Sequence, residues 1–295
     1  MSFILSSDSC CDAYKSFLKQ KNVFYLPMSY YIDEVPYYDN FDSLEEYRSF
    51  YDGLRKGQMP KTSQANAFET AEYFEKLLNE NKGDLVHLSL SSGLSTTAEN
   101  AQTAAREVML KYPERKIYAI DSKAATQGQK YLLDKAIKMR EEGYSAEDTA
   151  QEIKESVERL HHFIVARDLF HLKRGGRISG VAAVFGTVLN IRPIIVINHK
   201  GQLVVIDKEK GMTKSLKYLV KSMLKYRREG ETRAYIAHAD DIETATELKN
   251  MLMAEGINDI TLGYIGPVVG SHTGPGTLGL VFEGTKRLTV EQKGK

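Results

Sequence analysis

Hydroxyl side chains are concentrated in two segments that precede predicted helices, and these segments could hold an anion. Residues 60–64 are Pro-Lys-Thr-Ser-Gln, and residues 91–97 are Ser-Ser-Gly-Leu-Ser-Thr-Thr. Hydroxyls and free backbone amides at a helix N-terminus suit a carboxylate or a phosphate. Serine and threonine also cap helices, and capping is the favoured interpretation for 60–64 taken alone. One cap would use one of the five hydroxyls in 91–97, so both interpretations stay open there.

Two glycine-rich segments carry the other polar side chains that could reach a ligand. Residues 174–179 are Arg-Gly-Gly-Arg-Ile-Ser, which permits a tight turn with a guanidinium group on each side. A solvated loop with surface arginines is the favoured alternative for this segment alone. Residues 266–276 are dense in glycine and proline and predict a loop with demanding backbone dihedrals. His272 in that loop could donate to an anion or titrate near neutral pH.

Several catalytic and metal-binding motifs are absent from the sequence. It contains no H-E-x-x-H, C-x-x-C, Walker loop or G-x-S-x-G motif, so we expect no metal and find little support for a nucleotide. The two cysteines are sequence neighbours and cannot build a disulfide framework. The spacing is compatible with a nucleophile–base pair of Ser95 and His272, oriented by Asp8 or Asp121.

The bulk composition is that of an ordinary globular protein and narrows the classes of partner. Of the 295 residues, 42% are hydrophobic and 27% are charged, and 40 basic residues balance 39 acidic ones to a net charge of +1. No strong field favours nucleic acid or an anionic membrane. The start of the chain lacks a signal-peptide pattern, and no apolar run approaches the roughly 20 residues that span a membrane. We expect a soluble cytoplasmic protein, with transient membrane contact left open.

Short apolar strands that alternate with amphipathic helices predict an α/β fold with two lobes. The first lobe, residues 1–160, is expected to be a parallel sheet with helices on both faces. Its predicted strands are 3–5, 23–28, 84–90 and 116–121, and its predicted helices are 44–55, 68–79, one ending near 110, 129–142 and 146–160. Ligands of such sheets bind beyond the carboxyl ends of the strands, where the turns at 6–9, 91–97 and 121–122 lie.

The second lobe, residues 161–295, is expected to be a mixed α+β domain, with the ligand site between the lobes. Its predicted strands are 163–166, 194–198, 203–207, 233–238 and 260–265, and its predicted helices are 212–227 and 243–255. The turn at 199–201 lies between two strands and indicates a β-hairpin, so some antiparallel pairing is expected.

The polar segments, in this order, resemble those of the DegV family. The resemblance spans roughly residues 3 to 285, and the ordered combination of motifs is far more specific than any one of them. The matching segments are Ser7-Asp8-Ser9, 60–64, Ser91-Ser92-Gly93-Leu94-Ser95-x-Thr97, Asp121-Ser122, Leu169 through 174–178, Pro193-Ile194 and Gly266-Pro267-x-x-Gly270-x-His272-Thr273-Gly274-Pro275-Gly276.

The resemblance implies a function that the motifs alone do not. It implies a bacterial two-domain protein that binds a long-chain fatty acid, such as palmitate, in a tunnel and presents it to a fatty-acid kinase. The resemblance also implies a binding protein that catalyses no reaction itself, and we expect no cofactor. The resemblance implies that Thr62 and Ser95 bind the carboxylate, and that His272 belongs to their hydrogen-bond network. Arg174 would support the carboxylate and Arg177 would face the kinase, with these two roles open to exchange.

The matching motifs also place four further residues at the ligand, namely Ser63, Ser92, Gly93 and Thr273. Thr96 stands where the family usually has glycine, which bears on the acyl-chain length that fits. The apolar segment 181–189 could line the tunnel or form an ordinary buried helix. Two other functions stay open: a serine esterase or thioesterase that uses Ser95, and a phosphate- or nucleotide-binding enzyme that uses the glycine-rich segments.

Overall fold

The structure, a computed structural model, describes residues 3–167, 169–179 and 190–291. The segment 181–189, for which we predict a tunnel wall or a buried helix, lies outside these residues. The strands are β1 (Ile4–Asp8), β2 (Phe24–Leu26), β3 (Ser29–Ile32), β4 (Val35–Tyr38), β5 (Lys61–Ser63), β6 (Leu85–Ser89), β7 (Ile117–Asp121), β8 (Leu160–Val165), β9 (Ile178–Ser179), β10 (Ile191–Ile197), β11 (Leu203–Lys210), β12 (Arg233–His238), β13 (Asp259–Tyr264) and β14 (Leu278–Glu283). The helices are α1 (Lys15–Gln20), α2 (Leu44–Arg55), α3 (Ala67–Glu80), α4 (Thr97–Lys111), α5 (Gln127–Glu141), α6 (Ala146–Val157), α7 (Leu169–Gly175), α8 (Met212–Tyr226), α9 (Ile242–Ala254) and α10 (Pro267–Thr273).

The first sheet is parallel and has the strand order β2-β1-β6-β7. Its register pairs Leu5 with Val86 and Leu88 with Ile120. The two central strands, β1 and β6, are buried along their whole length, which is typical of a parallel sheet covered on both faces. Helices α1, α5 and α6 contribute to the core on one face, and α3 and α4 to the core on the other. The prediction of a parallel sheet with helices on both faces is confirmed.

The second large sheet is mixed and has the strand order β13-β12-β14-β8-β10-β11-β9. Its two end pairs, β12–β13 and β9–β11, are parallel, and the other neighbours are antiparallel. The hairpin predicted at 199–201 is present, because Ile197 of β10 pairs with Leu203 of β11. Helix α5 lies against this sheet too, with the rings of Tyr131 and Tyr235 5.2 Å apart. The predicted mixed α+β lobe is therefore confirmed.

A third, small antiparallel sheet of β4, β3 and β5 was not predicted. The predicted strand 23–28 divides into β2 and the start of this sheet, and residues 61–63 form a strand in it rather than a helix cap. The cap of α3 is Asn66, which exchanges side-chain and backbone hydrogen bonds with Glu69. The capping interpretation of Thr62 and Ser63 is therefore wrong, because Asn66 occupies the N-cap position.

The glycine-rich segment 266–276 was predicted to be a loop, but most of it forms α10. This helix begins with Pro267 in its first turn, where a missing N–H carries no cost, and ends at Gly274 with φ +75°. Contacts with other elements stabilise it: His171 Nε2 donates to the Ser271 carbonyl at 2.8 Å, and the Tyr51 hydroxyl donates to the carbonyl of Ile265, just before the helix, at 2.7 Å.

Candidate functional site

A cavity of about 540 Å³ opens at the carboxyl ends of the parallel strands, within the size range of small-molecule sites. Its walls come from both lobes, since the turn after β6 lies opposite α10 and β11. The apolar lining residues, which we call the apolar wall, are Met28, Leu90, Leu94, Leu203, Val268 and Val269. The polar lining residues, which we call the polar wall, are Thr62, Ser63, Gln64, Ser95, Thr96, Arg177, His272 and Thr273.

Thr62 and His272 form a hydrogen-bonded pair in the polar wall. Thr62 Oγ1 lies 2.7 Å from His272 Nε2, and His272 Nδ1 lies 3.0 Å from the Gly175 carbonyl oxygen. Burial, together with the nearby positive charge of Arg177, lowers the pKa of His272 to about 4. The imidazole is therefore neutral at neutral pH.

The two glycines between the arginines serve different purposes. A Cβ built on Gly175 would lie 2.5 Å from the carbonyl oxygen of His272, so only glycine allows α7 to end this close to α10. Gly176 has φ +68°, a left-handed conformation that lets the chain turn toward the cavity. The sequence predicts a tight turn here, and the structure adds that this turn supplies the acceptor for His272.

Ser95 lies in the turn between β6 and α4, and its hydroxyl bonds only within that turn. Ser95 Oγ lies 2.9 Å from Thr97 Oγ1 and accepts from the Thr97 amide at 3.3 Å. Thr96 stands at the N-cap position of α4 without a side-chain capping bond. Its hydroxyl instead donates to the side-chain oxygen of Gln64, which ties this turn to the β5–α3 segment. Thr62 and Ser95 therefore lie in two joined chain segments that line the same cavity.

Ser92 and Gly93 were predicted to contact the ligand, but neither is among the residues that line the cavity. The Ser92 hydroxyl donates to Asp121 Oδ2 at 2.5 Å, and its amide donates to Oδ1 at 3.1 Å. Gly93 packs on the β10–β11 hairpin so closely that a Cβ would overlap the backbone of Gly201. Both residues support the turn that carries Ser95.

Of the two arginines, Arg177 lies at the cavity and Arg174 does not, whereas we first assigned the carboxylate to Arg174. Arg177 lines the cavity and also donates to the Gly175 carbonyl at 3.1 Å. Arg174, near the end of α7, has an exposed side chain and does not line the cavity. Arg177 is thus the guanidinium group that lies beside the polar wall.

The residues of the apolar wall were not predicted from the sequence. Its six members come from four separate segments, and an ordinary leucine or valine gives no local signal that it borders a cavity rather than a core. Gln64 and Thr96 were also absent from the predicted site, although both lie inside the quoted motifs. Their bond to each other is a contact between two segments that sequence spacing does not show.

The hydrogen bonds do not form a serine-hydrolase triad. Ser95 bonds Thr97, whereas His272 bonds Thr62 and Gly175. The Asp8 carboxylate accepts from the Leu90 amide at 2.6 Å and from Gln129 at 2.9 Å, so it supports backbone turns. Over the described ranges, no cluster of three or more acidic, histidine or cysteine side chains is arranged to hold a metal. None of the helices in those ranges has the length and apolar character needed to cross a membrane.

The fold and the cavity define a two-lobed α/β protein with a ligand-sized cavity lined by residues of both lobes. A family model for the DegV family, described as uncharacterised protein, matches residues 3–285. A DegV domain-containing protein of Clostridium perfringens is 38% identical over 284 residues, which cover 96% of this chain and 97% of that one. This chain therefore belongs to the DegV family.

Solved structures of DegV proteins share this fold. A DegV family protein from Thermus thermophilus, described by its fatty acid binding, has a TM-score of 0.85 and 26% identity, covering 96% of this chain and 100% of that one. DegV from Bacillus subtilis, described as a fatty acid binding protein, has a TM-score of 0.80 and 26% identity, covering 97% of this chain and 100% of that one.

Proposed function

We propose that this protein binds one long-chain fatty acid in the cavity, with the carboxylate at Thr62 and Ser95 and the acyl chain along the apolar wall. The observation that carries the proposal is that hydroxyl-bearing and aliphatic side chains line the same cavity. A fatty acid has both a charged head and an apolar tail to contact them. The fatty acid binding described for the Thermus and Bacillus proteins supports the same ligand class.

The energetics of such a ligand match the walls. Burial of a methylene group contributes about 0.8 kcal/mol, so ten methylenes contribute on the order of 8 kcal/mol before ordering costs. The head group requires only that its hydrogen bonds to water be replaced. Two hydroxyls, the amides at the start of α4 and the adjacent Arg177 can replace them.

Removal of each hydroxyl tests the proposal. Thr62→Val and Ser95→Ala should each weaken binding of a fluorescent long-chain fatty acid about ten- to one-hundred-fold, because a bond to a charged group contributes roughly 1.5–3 kcal/mol. Thr246→Val is the matched control, since its hydroxyl bonds only its own helix α9. Equal affinity in all three variants and the parent protein would refute this site.

We further propose that this protein presents the bound fatty acid to a separate kinase, which phosphorylates it, as the resemblance to the family implies. We place this presentation in the cytoplasm and assign no catalysis to the protein itself. Arg174 is exposed at the end of α7, next to the turn that borders the cavity, and is our candidate for the kinase contact. Arg174→Ala should retain the lipid but lower acyl-phosphate formation, whereas the exposed Arg106→Ala on α4 should not. Equal rates in both variants would remove the role of Arg174.

A further inference from the structure

The hydrogen bonds of His272 fix where its ring proton lies. The Gly175 carbonyl only accepts hydrogen bonds, so Nδ1 must donate to it. The ring is neutral at neutral pH, because burial and Arg177 lower its pKa to about 4, so Nε2 carries a lone pair. The Thr62 hydroxyl therefore donates its only proton to Nε2 over 2.7 Å. In this state Thr62 offers only lone pairs to the cavity.

A carboxylate cannot bind to Thr62 in this state, because an ionised carboxylate is an acceptor only. If Thr62 turned its proton toward the carboxylate, its oxygen would face the Nε2 lone pair at 2.7 Å. If the neutral ring moved its proton to Nε2, the Nδ1 lone pair would face the Gly175 oxygen at 3.0 Å. A ring protonated on both nitrogens satisfies Gly175 and Thr62 together and frees the Thr62 proton for the ligand.

We propose that His272 takes up one proton from solvent when the carboxylate binds, so that the fatty acid and the proton enter the site together. This inference rests on the proposed function. The proton moves from water to Nε2, which then donates to Thr62 Oγ1, and the Thr62 hydroxyl donates to the carboxylate. His272 thus acts as a positioning residue that sets the direction of the Thr62 hydroxyl.

The charges around His272 explain why the proton arrives only with the ligand. The elements packed against α10 are α2, α7, β3 and β5. Arg177 and His171 disfavour a charged ring at His272, so the incoming carboxylate supplies the negative charge that the site otherwise lacks. The ionisable groups of these elements nearest to His272 are Tyr51 of α2, His171 of α7 with Arg177 beyond it, and Tyr30 of β3. Lys61 of β5 is exposed, and its ammonium group pairs with Glu34 at 2.7 Å.

Proton uptake has a measurable consequence for affinity. If the complex holds one proton more than the free protein and the free carboxylate, its dissociation constant rises about tenfold per pH unit wherever that uptake is complete. The pH range of complete uptake begins above the pKa of His272 in the free protein and the pKa of the carboxylic acid. It ends at the higher pKa that His272 acquires beside the carboxylate.

Calorimetry of dodecanoate binding, in buffers of different ionisation enthalpy at neutral pH, counts the protons taken up. We expect about one proton per ligand for the parent protein and none for His272→Gln, whose amide donates to Thr62 without titrating. His171→Gln is the matched control and should retain the uptake. Binding without uptake in the parent protein, or uptake that persists in His272→Gln, would overturn the inference but leave fatty acid binding intact.

Ring-nitrogen NMR of the parent protein decides the question even if His272→Gln fails to fold. We expect His272 to be neutral with its proton on Nδ1 in the free protein, and to carry protons on both nitrogens after dodecanoate is added. A ring that stays neutral in the complex would overturn the inference. A parent protein that binds neither dodecanoate nor palmitate would refute the proposed function itself.

Discussion

At the scale of single residues, one backbone carbonyl sets the polarity of the ligand site. The Gly175 oxygen holds Nδ1 of His272, and His272 in turn holds the hydroxyl of Thr62. This arrangement needs glycine at position 175, because any Cβ there would press against the backbone of His272. The glycine is thus part of the site although it offers no side chain to a ligand.

We expect Gly175→Ala to weaken fatty acid binding about tenfold, because the end of α7 must move away from His272 and the Nδ1 bond is lost or lengthened. Gly143→Ala is the control: Gly143 has a positive φ, +86°, so alanine is strained there, but a Cβ there meets no atom within 4 Å. It should cost stability through backbone strain and leave affinity unchanged. A fluorescent fatty acid titration of both variants checks this, and equal affinities would contradict the role of Gly175.

The buried carboxylates near the start of α10 give the second prediction at this scale. Asp39 accepts from the Ser9 hydroxyl at 3.1 Å, and burial, joined by the charge of Asp8, raises its pKa to about 8. The unfolded chain releases this proton near pH 3.9. Between these values the folded state holds more protons, so the free energy of unfolding falls as pH rises, by up to about 1.4 kcal/mol per pH unit.

Asp39→Asn should therefore show a shallower loss of stability between pH 6 and pH 8 than the parent protein, because an amide does not ionise and still accepts from Ser9. Denaturant unfolding at a series of pH values measures this. Asp33→Asn, at an exposed position, should run parallel to the parent protein. A slope for Asp39→Asn that matches the parent protein would show that the Asp39 proton is not held in the folded state.

At the scale of elements, long amphipathic helices could be predicted from the sequence. Short helices that depend on contacts with other elements could not. The spacing of Leu44, Tyr47, Tyr51 and Leu54 predicts a helix over 44–55, and α2 has these bounds. Helix α10 contains glycine and proline, so local propensity opposes it, and its contacts with other elements support it. Strand β5 could not be predicted either. It has three residues, and it is formed by pairing with β3, which is distant in the sequence.

The polar residues of the site were predicted from the resemblance to the family more than from their own chemistry. For 60–64 alone, helix capping was the favoured interpretation, and the carboxylate role of Thr62 came from the ordered combination of motifs. Which of the polar residues face the ligand could not be predicted, since Ser92 turns to Asp121 and Gly93 to the hairpin at Gly201. Both contacts join segments far apart in the chain, so only the tertiary structure separates them from Ser95.

The packing of the Ser95 turn on the β10–β11 hairpin gives the prediction at this scale. Gly93→Ala should lower the free energy of unfolding by more than about 2 kcal/mol, because its Cβ would overlap the Gly201 backbone rather than a movable side chain. Gly279→Ala is the control, with its nearest atoms 3.7 Å from a new Cβ. Denaturant unfolding compares them, and equal stabilities would show that the two segments are not tightly packed.

At the scale of the whole molecule, the ligand should bind the two lobes together, since both contribute walls to one cavity. A ligand at one hundred times its dissociation constant stabilises the folded state by about 2.7 kcal/mol. We expect palmitate to raise the melting temperature by several degrees. Palmitate methyl ester should raise it less, because it lacks the carboxylate that Thr62 and Ser95 are proposed to bind. Equal shifts would mean that the polar wall takes no part in recognition.

The most direct test of the account is a crystal structure of the protein grown with hexadecanoic acid carrying a terminal bromine, whose anomalous signal locates the tail. The account predicts an acyl chain along Leu90, Leu94 and Val268, with carboxylate oxygens within about 3.2 Å of Thr62 Oγ1 and Ser95 Oγ. A cavity that stays empty at saturating ligand, or a chain whose carboxylate lies away from both hydroxyls, would contradict it.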